Sequence, residues 1–302
     1  MKKGTVIMIK KDYLIKAVDE NQQVRLILAS TAGVVQEAHQ RHHTSATASA
    51  ALGRVLTAAL MMGSDLKGDK DVLTIRVDGG GPAGVIIATV DSHGHGRALI
   101  SHPQADLPST ETGKLDVGGL VGRDGFIEVI KDLGLKQPFV GKVPLVSGEI
   151  GEDVANYFLQ SEQIPSLVSL GVLVSTDLSI KSAGGLFIQA MPGAEDELLE
   201  KLENRVLSLG PISSLLDKSS SLEEVMEKIM QDIPYRLVGE QEVQFKCNCS
   251  HERLAKILAG LSSEELQDIE ESTGKLEVCC NFCNEVYHFT REEIEALKKR
   301  KP

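Results

Sequence analysis

The sequence contains no tryptophan, and aromatic residues make up only 4% of its 302 residues. Proteins that bind single-stranded nucleic acid usually stack bases on aromatic side chains, and this chain has few to offer. Basic residues are also outnumbered, because 32 Lys and Arg stand against 43 Asp and Glu and leave a formal net charge of -11. An acidic surface repels phosphate backbones, so we expect no nucleic-acid partner.

Long apolar runs are missing as well. The apolar patch near the N-terminus ends at Lys10, which makes it too short for the apolar core of a signal peptide. No later run approaches the ~18 apolar residues of a membrane span. We therefore expect a cytoplasmic protein without a membrane partner, in a compartment that keeps thiols reduced.

The patterns that are present predict an α+β fold, with an N-terminal domain over 1–193 built on an antiparallel sheet. Residues 44–62 are apolar nearly all round at helical spacing, which predicts a buried helix. Residues 72–77 and 84–90 flank a Gly-Gly-Gly-Pro turn and predict a hairpin. A phosphate loop is disfavoured there, because no Gly-Lys-Ser/Thr follows.

Residues 194–240 are predicted to form a helical, amphipathic linker. Leu198, Leu202 and Val206 recur at helical spacing among charged residues. Ser221 and Glu224 form a capping box that opens a second amphipathic helix, which ends before a proline. The apolar face of such a linker needs a partner, and the N-terminal domain is the simplest one.

Residues 241–302 form a small C-terminal module that holds every cysteine of the chain: Cys247, Cys249, Cys279, Cys280 and Cys283. The pairs C-x-C and C-x-x-C favour a tetrathiolate zinc site, closed to catalysis because no coordination position is open. Two short disulfides are the alternative use of the same thiols. A module of this size buries little apolar surface, so a metal would supply stability that its core lacks.

The four thiols also suit a redox switch, although a purely structural zinc site competes with this interpretation. A C-x-C disulfide closes a small, strained ring, and strained disulfides are the labile, regulatory ones. Zinc keeps sulfur as thiolate, the form that oxidants attack, and losing the metal removes folding energy.

The remaining candidate residues are interpreted conservatively. Cys279 is expected to be a small buried bystander, because it adjoins Cys280 and adjacent residues rarely both reach one metal. His251 and His288 are weighed as substitute ligands and disfavoured. Five further histidines, interpreted as solvated, are His39, His42, His43, His93 and His95. No nucleophile elbow or paired-carboxylate motif stands out, so nothing argues for an enzyme.

The chain resembles the heat-shock protein 33 family over almost its whole length. The resemblance rests on the two cysteine pairs with Val278 and Phe282 around the second, and on several further segments. These segments are Thr-Ala-Ser-Ala-Ala-Leu-Gly-Arg at 47–54, the Gly-Gly-Gly-Pro turn, 146–150, 161–166, 183–189 and 191–194.

The resemblance implies a redox-regulated, ATP-independent holdase chaperone that binds unfolded or oxidatively damaged client proteins. It implies one zinc ion on Cys247, Cys249, Cys280 and Cys283 in an inactive reduced state. Oxidants with heat would form Cys247–Cys249 and Cys280–Cys283 disulfides, release zinc and unfold the linker, and the active form would be a homodimer. Cys279 departs from the family pattern, so the oxidised pairing is the point at which this chain could differ. A constitutive zinc-stapled module that binds protein or nucleic acid is the alternative function.

Overall fold

The structure is a computed structural model that describes residues 11–262, 264–265, 268, 276–290 and 292–294. The chain divides into two compact units, 1–246 and 247–302, called here the N-terminal unit and the cysteine unit. Helices and antiparallel strands occur in both, so the predicted α+β class is confirmed. The predicted linker, 194–240, lies within the N-terminal unit.

The strands and helices of the N-terminal unit follow one another in short runs along the chain. The strands are β1 Tyr13–Asp19, β2 Val24–Ser30, β3 Val72–Asp78, β4 Ile86–Asp91, β5 His95–Ile100, β6 Phe126–Asp132, β7 Phe139–Pro144, β8 Ser166–Val174, β9 Ile180–Ala190, β10 Tyr235–Glu242 and β11 Gln244–Phe245. The helices are α1 Ala32–His42, α2 Ala46–Gly63, α3 Val117–Val121, α4 Gly151–Tyr157, α5 Asp196–Leu209, α6 Ile212–Asp217 and α7 Leu222–Met230, with a π-helical turn at Phe158–Glu162.

These strands form two sheets. The first has the order β10-β1-β2-β9-β8, and its neighbouring strands are antiparallel. The second has the order β11-β5-β4-β3-β6-β7 and is antiparallel except for the short β11–β5 pair. The predicted hairpin is confirmed, since β3 and β4 pair in register from Val72 opposite Asp91 to Val77 opposite Ile86.

Helix α2 lies between the two sheets and forms the centre of the core. It packs against β3, β4 and β5 of the second sheet and against β2, β8 and β9 of the first. Ser45 caps it by accepting a hydrogen bond from the Ala48 N–H. Within the described residues it alone is long and apolar enough for a membrane span, but 89% of that window is buried inside the protein. The predicted buried helix is therefore confirmed as a core helix.

One of the histidines interpreted as solvated is not. His42, at the end of α1, is buried, and its Nε2 lies 2.9 Å from the Ala98 carbonyl oxygen. A hydrogen-bonded imidazole can be buried without a large penalty. The solvated interpretation is wrong for His42 because its place between α1 and β5 depends on contacts distant in sequence.

The linker helices cover the outer face of the first sheet, as the amphipathic pattern predicts. Buried side chains of α5, α6 and α7 pack against buried side chains of β1, β2 and β9 in one cluster. In α7 the whole apolar face is buried: Leu222, Val225, Met226, Ile229 and Met230. The last linker helix ends before Pro234, as predicted, but residues from Tyr235 onward form β10 on the edge of the sheet, a strand that the helical description of 194–240 did not include.

Polar contacts hold both ends of α7. The Tyr13 hydroxyl accepts a hydrogen bond from the buried Leu222 N–H at 2.9 Å and lies 3.2 Å from a Glu223 carboxylate oxygen. At the other end, Arg205 of α5 donates to the carbonyl oxygens of Ile229 and Met230, each at 2.9 Å. Arginine there satisfies carbonyl groups that a helix end leaves unpaired.

Two carboxylates make this region sensitive to acid. Lys201 and Arg205 hold the pKa of Asp232 at about 2, below its ordinary 3.8, and Lys228 with Ser220 holds the pKa of Glu224 at about 2, below 4.5. A carboxylate whose pKa is lower in the folded state stabilises the fold at pH values above its unfolded pKa. That contribution is lost as the pH falls toward the folded pKa.

We expect the amide protection of α7 to fall between pH about 4 and 2. The fall should be modest, since both groups are exposed. Hydrogen exchange of wild type and of the double variant Glu224→Gln, Asp232→Asn checks this, and an equally steep fall in the variant would contradict it.

Candidate metal centre

The cysteine unit brings its thiols together from two separate segments. Cys247 and Cys249 precede helix α8, His251–Leu258, whose N-cap Ser250 accepts a hydrogen bond from the Arg253 N–H. Cys280 and Cys283 lie in the turn between strands β12, Leu276–Cys279, and β13, Val286–Phe289. Strand pairing therefore presents one pair of thiols and the start of a helix presents the other.

The turn that carries Cys280 and Cys283 is fixed by backbone hydrogen bonds. The N–H groups of Cys283 and Asn284 donate to the Cys280 carbonyl oxygen at 3.2 and 2.7 Å. The Cys280 N–H donates to the carbonyl oxygen of Glu285 at 3.0 Å and closes the hairpin. Asn284 has a φ of 54°, a left-handed conformation that asparagine tolerates better than most residues. These bonds direct both thiols of the C-x-x-C pair to one side.

The four sulfur atoms of Cys247, Cys249, Cys280 and Cys283 lie within 4.8 Å of one another. The Sγ atoms of Cys247 and Cys280 are 3.7 Å apart, and those of Cys249 and Cys283 are 3.3 Å apart. Four ligands at a zinc–sulfur distance of about 2.3 Å in a tetrahedron are separated by about 3.8 Å. The donor set and its spacing therefore fit a tetrahedral metal ion, with each C-x-C thiol beside a thiol of the other pair.

The environment divides the thiols by their pKa values. Burial raises the pKa of Cys247 and that of Cys283. Burial acts in the same direction on Cys249, but hydrogen bonds from the Tyr287 hydroxyl and from the neighbouring thiols outweigh it and lower the pKa of Cys249. The contact with Cys249 in turn raises the pKa of Tyr287. Cys249 is thus the thiol of these three on which the surroundings favour the thiolate.

Tyr287 is a residue of this site that the sequence analysis missed. Its hydroxyl oxygen lies 3.3 Å from the Sγ of Cys249. The sequence contained a signal for this residue, because Tyr287 follows Cys283 by only four residues. The strand that leaves a C-x-x-C turn passes close to the thiols of that turn. Only the register, with Tyr287 opposite Val278, places its side chain there.

Cys279 is separate from the cluster, as the sequence analysis expects, but the expectation that it is buried is wrong. It is exposed at the end of β12, opposite Val286. Successive side chains of a strand point to opposite faces of the sheet. Cys279 and Cys280 are adjacent at the point where the strand enters the turn, so their two thiols point in different directions. The chain thus carries an accessible fifth thiol directly beside the four-sulfur cluster.

The two histidines near the cluster have other contacts. His251 stacks on Phe289 with ring centroids 4.4 Å apart, and its Nε2 lies 3.1 Å from the His288 carbonyl oxygen. His288 is exposed, with its Nδ1 3.2 Å from a Glu277 oxygen. Neither belongs to the group of potential ligands that contains the four cysteines.

The apolar core beneath the cluster is small. Its buried members among the described residues are Ala255, Leu258, Phe289 and Ile294. Two capping boxes are present in this unit, since Ser262 pairs reciprocally with Glu265 and Thr290 with Glu293. A core of this size and helix caps worth about 1 kcal/mol each leave little margin for stability without a further cross-link.

The N-terminal unit also contains a cavity of about 300 Å³. Its lining includes the apolar side chains of Phe158 and Phe187 together with charged groups. Four of these charged groups form ion pairs, Arg25 with Asp65 at 3.0 Å and Lys131 with Glu162 at 2.5 Å. Its lining residues, which all lie in the described part of the chain, include no serine, cysteine or histidine, so it offers no nucleophile of these types.

Comparison with known proteins gives a consistent result. The family model described as "Hsp33 protein" matches residues 12–290. The "33 kDa chaperonin" of Geobacillus kaustophilus (strain HTA426) is 47% identical over 288 residues, which cover 95% of this chain and 98% of the relative. The protein of the same name from Bacillus subtilis (strain 168) is 46% identical over 287 residues, covering 95% and 98%.

A solved structure is similar over the same extent. The crystal structure of the 33 kDa chaperonin (heat shock protein 33 homolog) from Thermotoga maritima superposes with a TM-score of 0.88 at 38% identity. It covers 96% of this chain and 98% of the other. The chain belongs to the Hsp33 family of chaperones.

Proposed function

We propose that this protein is a redox-regulated, ATP-independent holdase that binds unfolding or oxidatively damaged client proteins and prevents their aggregation. The observation that carries the proposal is the group of four thiol sulfurs within 4.8 Å of one another. Membership of a chaperone family supports the client-binding part. The switch is argued from the thiols and from the linker that precedes them.

In the reduced state, Cys247, Cys249, Cys280 and Cys283 would hold one zinc ion. When bound, zinc supplies folding energy to the cysteine unit and keeps the four sulfurs as thiolates. The small core of this unit is consistent with that need. The reduced protein would be inactive, since the apolar face of the linker is buried against the first sheet.

Oxidation would convert each short pair to a disulfide, Cys247–Cys249 and Cys280–Cys283. For each pair, one thiolate attacks the O–O bond of hydrogen peroxide, which gives a sulfenic acid and hydroxide. The second thiolate attacks that sulfur, the S–S bond forms, and a second hydroxide leaves. Two electrons pass from the pair of sulfurs to peroxide, so two peroxide molecules oxidise the four thiols.

Loss of the four thiolates would release the metal and unfold the cysteine unit. We propose that residues 194–240 act as the linker between a core domain, 1–193, and a redox-switch domain, 241–302. Unfolding of the switch domain would destabilise the linker, expose the apolar face of α7, and allow clients to bind. Met226 and Met230 lie on that face, and the unbranched methionine side chain can adapt its shape to the surfaces of different clients.

Further parts of the proposal concern partners and location. We propose a homodimer in the oxidised state, a cytoplasmic protein, and no nucleic-acid partner. A thiol cluster that must be reduced at rest requires a reducing compartment, which the cytoplasm provides. The formal net charge of -11 disfavours phosphate backbones.

The test compares reduced, zinc-loaded protein with protein treated with peroxide and mild heat. We expect the oxidised form to suppress aggregation of an unrelated unfolding client and the reduced form not to, with one zinc lost per four thiols. The variant Cys279→Ser should behave as wild type, while Cys283→Ser should bind no zinc. Equal suppression by both forms, or zinc that stays bound through oxidation, would instead favour a constitutive zinc-stapled module.

The disulfide pairing is tested separately by peptide mapping of the oxidised protein. We expect Cys247–Cys249 and Cys280–Cys283, with Cys279 as a free thiol. Disulfides between Cys247 and Cys280 or between Cys249 and Cys283, which are neighbours in the folded cluster, would contradict the proposed switch.

A further inference from the structure

We propose that Tyr287 is a positioning residue of the thiol cluster, whose hydroxyl hydrogen bond orients Cys249 and lowers the reactivity of its sulfur toward oxidants. The inference rests on the metal-binding part of the proposed function and adds to it a residue outside the four cysteines. It concerns the rate at which the switch responds, which the ligand set alone does not determine.

The geometry defines the direction of the hydrogen bond. The Tyr287 hydroxyl oxygen is 3.3 Å from the Sγ of Cys249, a hydrogen-bond distance for sulfur. A metal-bound thiolate has no proton to donate, so the hydroxyl must donate and the sulfur accept. A tyrosine hydroxyl has one proton, and this contact uses it.

The tyrosine ring is held in place without the hydroxyl. Tyr287 lies in β13, opposite Val278 of β12, and its ring packs against the small core of the cysteine unit. The centroid of its ring lies 6.5 Å from that of the His251 ring. Replacing Tyr287 by phenylalanine therefore removes one donor and keeps the apolar contacts.

The sulfur of Cys249 lies within hydrogen-bond distance of a side-chain hydroxyl, so a substitution can remove this donor without changing the ligand itself. Residues around a metal site that bind its ligands orient them, and their loss commonly lowers metal affinity by about 10–100-fold.

A donor on a thiolate also withdraws electron density from sulfur. The first step of the proposed switch is attack of a thiolate on the O–O bond of peroxide, and nucleophilicity rises with the basicity of the sulfur. Without the hydroxyl, Cys249 should attack faster. Tyr287 would therefore delay the response of the C-x-C pair to oxidant.

The experiment uses full-length wild type and Tyr287→Phe, each loaded with Zn²⁺ or Co²⁺, with Tyr235→Phe as a control that removes a hydroxyl from the N-terminal unit. We expect Tyr287→Phe to bind one metal per chain with about tenfold lower affinity in chelator competition. Its peroxide-driven zinc release should be about threefold faster. The sulfur-to-cobalt charge-transfer bands should move to lower energy, a change that a purely structural role would not produce.

Unchanged bands and an unchanged release rate in Tyr287→Phe would overturn the inference while leaving the proposed function intact. Failure of wild type to bind metal would instead refute the proposed function. If Tyr287→Phe does not fold, wild type loaded with ¹¹³Cd²⁺ decides the matter by NMR. A slowly exchanging Tyr287 hydroxyl proton coupled to the metal supports the hydrogen bond, and a freely exchanging one refutes it.

Discussion

Removing the zinc ion proposed for the reduced protein is expected to unfold the cysteine unit and leave the N-terminal unit folded. Binding of structural zinc to small thiolate sites provides about 10–16 kcal/mol of apparent free energy, which in such domains is folding free energy. The cysteine unit has four buried apolar side chains in its described core, whereas both sheets of the N-terminal unit pack on extensive clusters. The two units should therefore respond very differently to a chelator.

Hydrogen exchange under anaerobic, reducing conditions provides the measurement. After chelation we expect amides of β12, β13 and α8 to exchange at nearly the rate of an unfolded chain, while those of α2 and β9 keep their protection. Cys279→Ser is the matched control, because that thiol is exposed and outside the cluster and its loss should leave metal binding unchanged. Full protection of β12 and β13 without metal would show that the unit folds on its own core.

Truncating the apolar face of α7 is expected to release the linker even when the cysteine unit is intact. Ile229 is fully buried between α7 and the first sheet. Replacing such a residue by alanine costs about 2–5 kcal/mol, through lost transfer free energy and the cavity left behind. Domains of this size are stable by only about 5–15 kcal/mol, so a local element can detach at this cost.

Ile229→Ala should therefore show increased amide exchange in α7 and should suppress client aggregation in the reduced, zinc-bound state. Glu227→Ala is the matched control, because Glu227 lies on the exposed face of the same helix. If Ile229→Ala loses α7 protection but gains no holdase activity, linker release is not the step that activates the protein. If it keeps its protection, the helix is held by its polar end contacts more than by its apolar face.

Sequence patterns predicted those elements whose burial repeats along the chain. The β3–β4 hairpin and the amphipathic face of α7 each show a local period that matches their burial, and helix α2 is a continuous apolar segment that is buried nearly all round. Strand β9, Ile180–Ala190, was not predicted and lacks such a signal, because its residues are buried on both faces. In β9, Gly184 and Gly185 suggest a weak strand, but a Cβ atom at Gly184 would collide with the Ala29 carbonyl oxygen of β2 and with Leu216.

The edge strand β10 shows the same limit in another form. Pro234 ends the helix before it, but the side chains of β10 are mostly exposed and do not alternate, so no local pattern predicts a strand there. Its partner, β1, lies more than two hundred residues earlier, and the pairing runs from Tyr13 opposite Glu242 to Asp19 opposite Tyr235. The exposed position of Cys279 and the burial of His42 were missed for the same reason.

The sequence by itself determined the donor set, because four of the five thiols lie at C-x-C and C-x-x-C spacing, which has few other uses. It also predicted the family and the amphipathic helices of 194–240. Only the tertiary structure decided that the sulfurs of opposite pairs are neighbours, that Cys279 faces away, and that Tyr287 reaches Cys249. Spacing along a chain limits which atoms can meet, but the direction of each side chain follows from strand register and packing, which depend on residues far apart in sequence.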